Sequence, residues 1–243
     1  MIEYTEDYLL DKKVRILQPV DGYRAAIDAV LLSSMVQKVK SGDKILDLGS
    51  GTGAISLCLA HRFPTAEITG FEIQPELVKL SNMSAAANGF DKLKFENCDI
   101  RKPQVKLFNS FNHLVTNPPY ATDDMPSPNA GKAWAHNFQD FDLEKWLTTA
   151  LKFLRPFGWI YIINRTAAID EILSVLHGRA GAITILPLFS KAGQEAKRII
   201  VCARKGDKSP SRILTGLTVH ATDGQYTPQA QRLLRDGLGF FES

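Results

Sequence analysis

Short apolar runs alternate with longer stretches of helical period from Lys44 to Arg204, a pattern that predicts βαβ units and a mostly parallel sheet. The apolar runs place strands at residues 44–48, 67–71, 94–98, 111–116, 159–163, 183–188 and 198–203. Between them the period is helical at 54–62, 75–88, 143–154 and 167–176. Pro75 occupies a first-turn position there, and Gly89, Pro156 with Gly158, and Gly178 supply the stops. Residues 189–197, which join the last two strands, are too few for a helical crossover, so those strands are expected to pair antiparallel and leave one reversed strand in the sheet. Residues 205–212 break the pattern, and 214–220 with 226–234 read as an appended hairpin and helix.

A chain of 243 residues, 44% hydrophobic, can bury one sizeable α/β core but hardly two. The expectation is a single domain over residues 1–243, with an N-terminal extension and helix (1–40), a core (41–205) and a C-terminal appendage (206–243). A formal charge of +3 is too small to mark a nucleic-acid binder by bulk, so any such surface must come from local clustering. Cys58, Cys98 and Cys202 lie in apolar segments without metal-ligand spacing, which suits reduced thiols and argues against a metal. The acidic start of the chain lacks a basic region followed by an apolar run, and no later run would span a bilayer. A cytoplasmic location without membrane contact is therefore expected.

Two motifs carry chemistry. The turn Asp47-Leu48-Gly49-Ser50-Gly51-Thr52-Gly53 follows the first core strand, and Asn117-Pro118-Pro119-Tyr120 follows the fourth, where open α/β sheets bind ligands. Gly49, Gly51 and Gly53 allow a tight turn and a close approach of backbone to ligand. The helix behind the turn presents a positive dipole end that suits a pyrophosphate or a methionine carboxylate equally, so the turn alone does not choose the cofactor. Ser50 belongs to the same wall. Glu72, followed by Ile73, closes the second strand about twenty residues downstream, the spacing at which an acidic side chain takes ribose hydroxyls. Asp47 is suited to an amino group or to stiffening the turn; Asp99 is suited to an adenine amine, with Ile100 packing on the ring, or to capping a turn. Read in this order, the two motifs point to transfer of a methyl group to a planar amine.

The Asp-Leu-Gly-Ser-Gly-Thr-Gly turn, Glu72 and Asn-Pro-Pro-Tyr resemble motifs of class I S-adenosylmethionine-dependent methyltransferases that act on amines. At the flanks, Gln18-Pro19, Gly22-Tyr23-Arg24, Asp28 and Leu31-Leu32, then Pro187-Leu188, Gly193, Ala196 and Arg198, then His220 and Gly224-Gln225-Tyr226-Thr227, are similar to the bacterial tRNA adenine-N6 methyltransferase family. The resemblance covers nearly the whole chain. It implies a Rossmann-like class I methyltransferase sheet, S-adenosylmethionine as cofactor, and the adenine next to the anticodon of a valine tRNA as substrate. By the same resemblance Tyr23, Arg24 and the following helix roof the methionine end of the cofactor. Packing alone also accounts for the apolar face of that helix, Ile27, Val30, Leu31 and Leu32.

An exocyclic amine is a weak nucleophile because its lone pair is delocalised into the ring. The Asn117 side-chain oxygen can accept one of its N–H groups and the Pro118 carbonyl the other, acceptors that strengthen as positive charge builds on nitrogen. Tyr120 offers a ring on which a base stacks. His136 is a candidate proton acceptor or substrate contact, and Trp134 and Phe138 in the same loop are candidates for stacking on flanking bases. Such a slot takes only a single-stranded, looped or flipped base. Lys191, Lys197, Arg198, Arg204, Lys205, Lys208 and Arg212 form the densest basic run, placed either to meet RNA phosphates or simply to be solvated. The competing readings are methylation of a protein glutamine amide, for which the N-terminal extension is short, and methylation of another exocyclic base amine. A nicotinamide dehydrogenase would want G-x-G-x-x-G and has no use for Asn117.

Overall fold

The computed structural model describes residues 2–22, 24–119 and 141–242. An antiparallel hairpin of β1 (Tyr4–Leu9) and β2 (Val14–Pro19) leads into helix α1 (Ile27–Met35). The core then runs β3 (Lys44–Leu48), α2 (Ala54–Arg62), β4 (Glu67–Glu72), α3 (Pro75–Ala87), β5 (Leu93–Asn97) and β6 (Phe111–Thr116). It continues through α4 (Leu143–Phe153), β7 (Leu154–Arg165), α5 (Ile169–Leu176), β8 (Ala180–Lys191) and β9 (Arg198–Lys205).

The sheet order is β10-β8-β9-β7-β6-β3-β4-β5, and β9 alone on this path runs against its neighbours, as the short β8–β9 connection requires. This is a Rossmann-like α/β sheet. One face is covered by α1, α2 and α3, whose buried side chains meet Ile45, Ile68, Val115, Tyr161 and Ile200 of the sheet. The other is covered by α4 and α5, packed on Leu46, Leu114, Ile160, Ile162 and Val201. Because both faces are buried, the central strands are rich in apolar residues on both sides, interrupted by buried polar ones such as Asp47, Asn112, His113 and Thr116.

Several boundaries differ from the sequence expectation. β7 starts at Leu154, because the chain leaves α4 directly into pairing with Phe111 and a bulge between Phe111 and His113 absorbs the Pro156–Gly158 stretch. β8 extends to Ala180 and Lys191, past the apolar run, since its first residues pair with β9 across a bulge between Gly181 and Thr184 and its last residues, Phe189 and Lys191, pair with residues 218 and 220 further along the chain. The expected C-terminal hairpin is instead two short strands, β10 (Arg212–Ile213) and β11 (Leu217–His220), both parallel to β8. They cover an edge that would otherwise expose unpaired N–H and C=O groups. Helix α6 (Pro228–Gln231) follows, its start capped by Thr227, whose side chain accepts the Ala230 amide.

The N-terminal hairpin was not legible as strands. β1 is largely exposed and shows no buried alternation, while β2 is held by side chains of α3: Ser84 accepts the Leu17 amide and Asn88 brackets Arg15 with two hydrogen bonds. At the far end of the chain, the Phe240 amide donates to the Ser34 carbonyl, and Glu242 pairs at 3.0 Å with Arg62. The Arg62 guanidinium, only 6% exposed, also donates to the carbonyls of Ser33 and Val36 at the C-terminus of α1.

Candidate active site

β3 and β6 are neighbours in the sheet, but the chain leaves β3 toward β4 and leaves β6 toward β7. The loops after them therefore diverge and open a crevice at the carboxyl ends of the strands. The register places Thr116, Leu48 and Phe71 side by side, so the next residues of the three strands, Asn117, Gly49 and Glu72, emerge together.

The glycine turn is held from several sides. Gly49 and Ser50 both donate their amides to the Phe71 carbonyl at 2.9 Å, and Ser81 of α3 donates to the Gly51 carbonyl at 3.1 Å. Gly53 sits at φ +83°, and a Cβ there would come within 2.6 Å of the Phe95 ring, so no other residue fits without displacing that ring. Glu72 is buried at 5% exposure; its Oε2 accepts the Gly51 amide and its Oε1 the Gln74 amide, each at 2.9 Å. Oε1 also takes the Gln74 side-chain amide at 3.5 Å, and Oε2 keeps a further acceptor site.

Asn117, Pro118 and Pro119 line the resulting cleft together with the turn, Glu72 and Ala29 of α1. Ala54 and Ile55, at the amino end of α2, also line it; Gly53 gives that helix no side-chain cap, and while the Ser56 amide turns to Asp47, the amides of Ala54 and Ile55 are placed to meet a ligand. Ser50 Oγ, Thr52 Oγ1 and Asp47 Oδ1 are buried without a hydrogen-bond partner. Orphaned polar atoms are rare in a folded interior; among the described residues the other is His113 Nδ1, so they concentrate on this turn, which is left under-satisfied by the protein's own groups. Asp47 is fully buried; its Oδ2 accepts the Ser56 hydroxyl at 2.7 Å. Burial, reinforced by the negative charge of Glu72, pushes its carboxyl up to about 7 against the opposing hydrogen bonds of Ser56.

The structure brings together Gly49, Ser50, Gly51, Glu72, Asn117 and Pro118 on the cleft and places Gly53 and Asp47 directly beneath it. Ile73 is off the cleft, where its carbonyl accepts the Asn97 side-chain amide. Asp99 is tied to Arg101 through two side-chain contacts at 2.8 Å and accepts its backbone amide, the turn-capping arrangement, and those bonds hold its carboxyl below the usual range. Ile100 is buried in the core under α4. Arg24 turns to the hairpin, pairing with Asp7 at 2.6 Å and donating to Thr5 and the Pro19 carbonyl. Tyr23, Tyr120, Trp134, His136 and Phe138 lie outside the described residues.

The run of basic residues that reads as one cluster is divided by the sheet. β9 carries Arg198 at its start and Lys205 at its end, so Lys191, Lys197 and Arg198 share the cleft edge, while Arg204, Lys205 and Lys208 lie toward the opposite edge, about 23 Å away along the strand, and Arg212 sits between them on β10, beside Thr184 of β8. Arg198 reaches Asp28 of α1 at 3.3 Å. The Lys205 ammonium is spent on the Leu151 and Leu154 carbonyls and Asn109 Oδ1, capping the end of α4.

Trp146 is the lining residue that sequence reasoning missed. It sits in an amphipathic helix, where a large apolar side chain reads as core, and only the fold shows its ring against Gly49. Gln74 and Leu77 at the start of α3 were also missed.

A family model described as a methyltransferase domain matches residues 39–197, well over half of the chain. The chain belongs to the methyltransferase domain family. Among its relatives, a Porphyromonas gingivalis protein named tRNA1(Val) (adenine(37)-N6)-methyltransferase is 28% identical over 237 residues, covering 91% of each chain. An Aeromonas hydrophila protein of the same name is 25% identical over 212 residues, covering 84% of this chain and 85% of the relative. Among solved structures, Atu636 from Agrobacterium tumefaciens, described as a predicted O-methyltransferase, superposes with a TM-score of 0.73 at 26% identity over 87% of this methyltransferase and 97% of that chain. Among the described residues of the methyltransferase, no cluster of His, Cys, Asp and Glu could hold a metal ion, and no helix is long and apolar enough to cross a membrane.

Proposed function

We propose that this methyltransferase transfers the methyl group of S-adenosylmethionine to the exocyclic N6 amine of an adenine in tRNA, the adenine at position 37 of a valine tRNA. The observation that carries the reading is the emergence of Asn117 and Pro118 beside the glycine turn and Glu72 on one cleft. The names of relatives that align over most of their length support the choice of tRNA and of adenine.

Bound in this cleft, S-adenosylmethionine supplies an electrophilic methyl group on a sulfonium. Glu72 Oε2 has acceptor capacity left for ribose hydroxyls, and the amino end of α2 suits a carboxylate. Asn117 Oδ1 accepts one N–H of the adenine amine and the Pro118 carbonyl the other, turning the nitrogen lone pair toward the methyl group. As the N–C bond forms and the methyl–sulfur bond breaks, leaving the neutral thioether S-adenosylhomocysteine, the positive charge passing to nitrogen strengthens both hydrogen bonds, which lowers the barrier rather than tightening the ground state. The amine proton then leaves to water. Tyr120 stacks on the base, and Lys191 and Lys197, at the same edge of the sheet, meet RNA phosphates.

The test is incubation with labelled S-adenosylmethionine and separate RNA and protein fractions from a strain lacking the gene, followed by nucleoside and amino-acid mass spectrometry. Label in N6-methyladenosine is the expected result. Label in a protein glutamine or in another base overturns the substrate assignment.

A further inference from the structure

The cofactor turn and the acceptor motif are joined by a chain of side-chain hydrogen bonds that neither motif contains. Thr116, wholly buried and immediately before Asn117, donates its hydroxyl to the Leu48 carbonyl at 2.8 Å. That carbonyl belongs to the peptide unit that enters the glycine turn. The same hydroxyl accepts the indole N–H of Trp146 at 2.9 Å, so its donor and one acceptor position are both fixed. The Trp146 ring lies flush against the turn: a Cβ added at Gly49 would stand 2.8 Å from Cζ2 and Cη2. Phe141 meets the indole edge on, with ring centroids 6.2 Å apart.

We propose that Trp146, acting through Thr116, is a positioning residue for methyl transfer, fixing the distance between the glycine turn and Asn117. The inference rests on the functional reading above. β3 and β6 are already paired, but backbone pairing ends at Leu48 and Thr116, the last residues before the two loops diverge. The Trp146–Thr116–Leu48 bridge is placed at that point, where it ties the two strand ends together through side chains. An in-line transfer is sensitive to displacements of the order of 1 Å, so losing the bridge should slow the chemical step while leaving the cofactor wall in place.

The variants are Thr116→Val, which keeps the shape and removes the hydroxyl, Thr116→Ser, which restores it, and Trp146→Phe, which keeps an aromatic ring and removes the N–H. Single-turnover methylation should fall about ten- to a hundredfold in Thr116→Val and Trp146→Phe, with S-adenosylmethionine affinity by calorimetry within about threefold of the parent. Thr116→Ser should regain most of the rate. The Thr116→Val/Trp146→Phe double variant should be no slower than the worse single one, because both break the same bridge. In parallel, the Trp146 indole N–H followed by NMR should be protected from hydrogen exchange in the parent and in Thr116→Ser, and should lose that protection in Thr116→Val.

Near-parent single-turnover rates in Thr116→Val and Trp146→Phe, additive losses, or an indole that exchanges freely in the parent would overturn the proposal. Should Thr116→Val fail to fold, Trp146→Phe and the exchange rate in the parent protein decide it. A parent protein that leaves tRNA adenine unmethylated defeats the substrate assignment instead, and indole protection then decides whether the bridge exists.

Discussion

The carboxylate of Glu72 reaches from the end of β4 to the Gly51 amide, 2.9 Å away, and so ties the crown of the glycine turn to the neighbouring strand. Its other oxygen holds the Gln74 amide at the start of α3. Glu72→Ala should therefore act twice, weakening S-adenosylmethionine binding and loosening the turn, each by about 1.5–3 kcal/mol as expected for hydrogen bonds to a charged group. Glu72→Gln keeps one acceptor oxygen and should recover part of the stability. Calorimetry and urea unfolding on both variants check this; an unchanged affinity in a folded Glu72→Ala protein would remove the ribose assignment.

Asn117→Ala should bind S-adenosylmethionine nearly as well as the parent and lose about a hundred- to a thousandfold in turnover, the usual loss for one preorganised acceptor or donor at a charge that develops in the transition state. Single-turnover rates and cofactor titrations separate the two effects. A rate near the parent value would reduce the motif to a turn that ends β6.

Asp47 carries a pH signature. Its carboxyl is raised from 3.8 to about 7, so the folded state binds the proton more tightly than the unfolded chain. The stabilisation this gives is complete below about pH 4 and is lost as the pH rises through about 7, a change of about 4 kcal/mol at roughly 1.4 kcal/mol per unit. Asp47→Asn removes the titration. Its stability relative to the parent should be higher at pH 8 than at pH 4.5, read from urea unfolding at both; a difference independent of pH would show that Asp47 does not titrate in this window.

Charge reversals should sort by edge of the sheet. Lys191→Glu and Lys197→Glu should weaken tRNA binding and reduce the salt slope by about one per lost phosphate contact. Lys205→Glu should instead lower the melting temperature, because the Lys205 ammonium caps α4. Filter binding across a salt series, with thermal melts, distinguishes them. If the Lys205 variant loses tRNA affinity without losing stability, the division of the basic residues is mistaken.

The core of the fold was readable because β3, β4, β6 and β9 are apolar runs with clear stops, and the short β8–β9 connection dictated the reversed strand. The turn, Glu72 and Asn117 were readable because their spacing reflects chain-local geometry at the strand ends. What was hidden depends on contacts far apart in sequence. β2 pairs its backbone with Ser84 and Asn88, some 70 residues on, and Trp146 meets Thr116 across 30 residues of chain. The basic residues near 191–208 are close in sequence, yet one strand is enough to put them at opposite edges, which composition cannot express.

The clasp between Arg62 and Glu242 sets an order of events during synthesis. Helix α1, whose Ala29 lines the cleft, leaves the ribosome well before Glu242, yet the guanidinium that caps it is neutralised by that late residue. β11 on the rim of the sheet is likewise made late. The nascent chain can collapse around β3 to β6 early, as domains generally do from the N-terminal side. Helix α1 stays loosely fastened until residues 239–242 arrive, so a chain truncated just short of them should keep most of its core and yet hold its cofactor poorly.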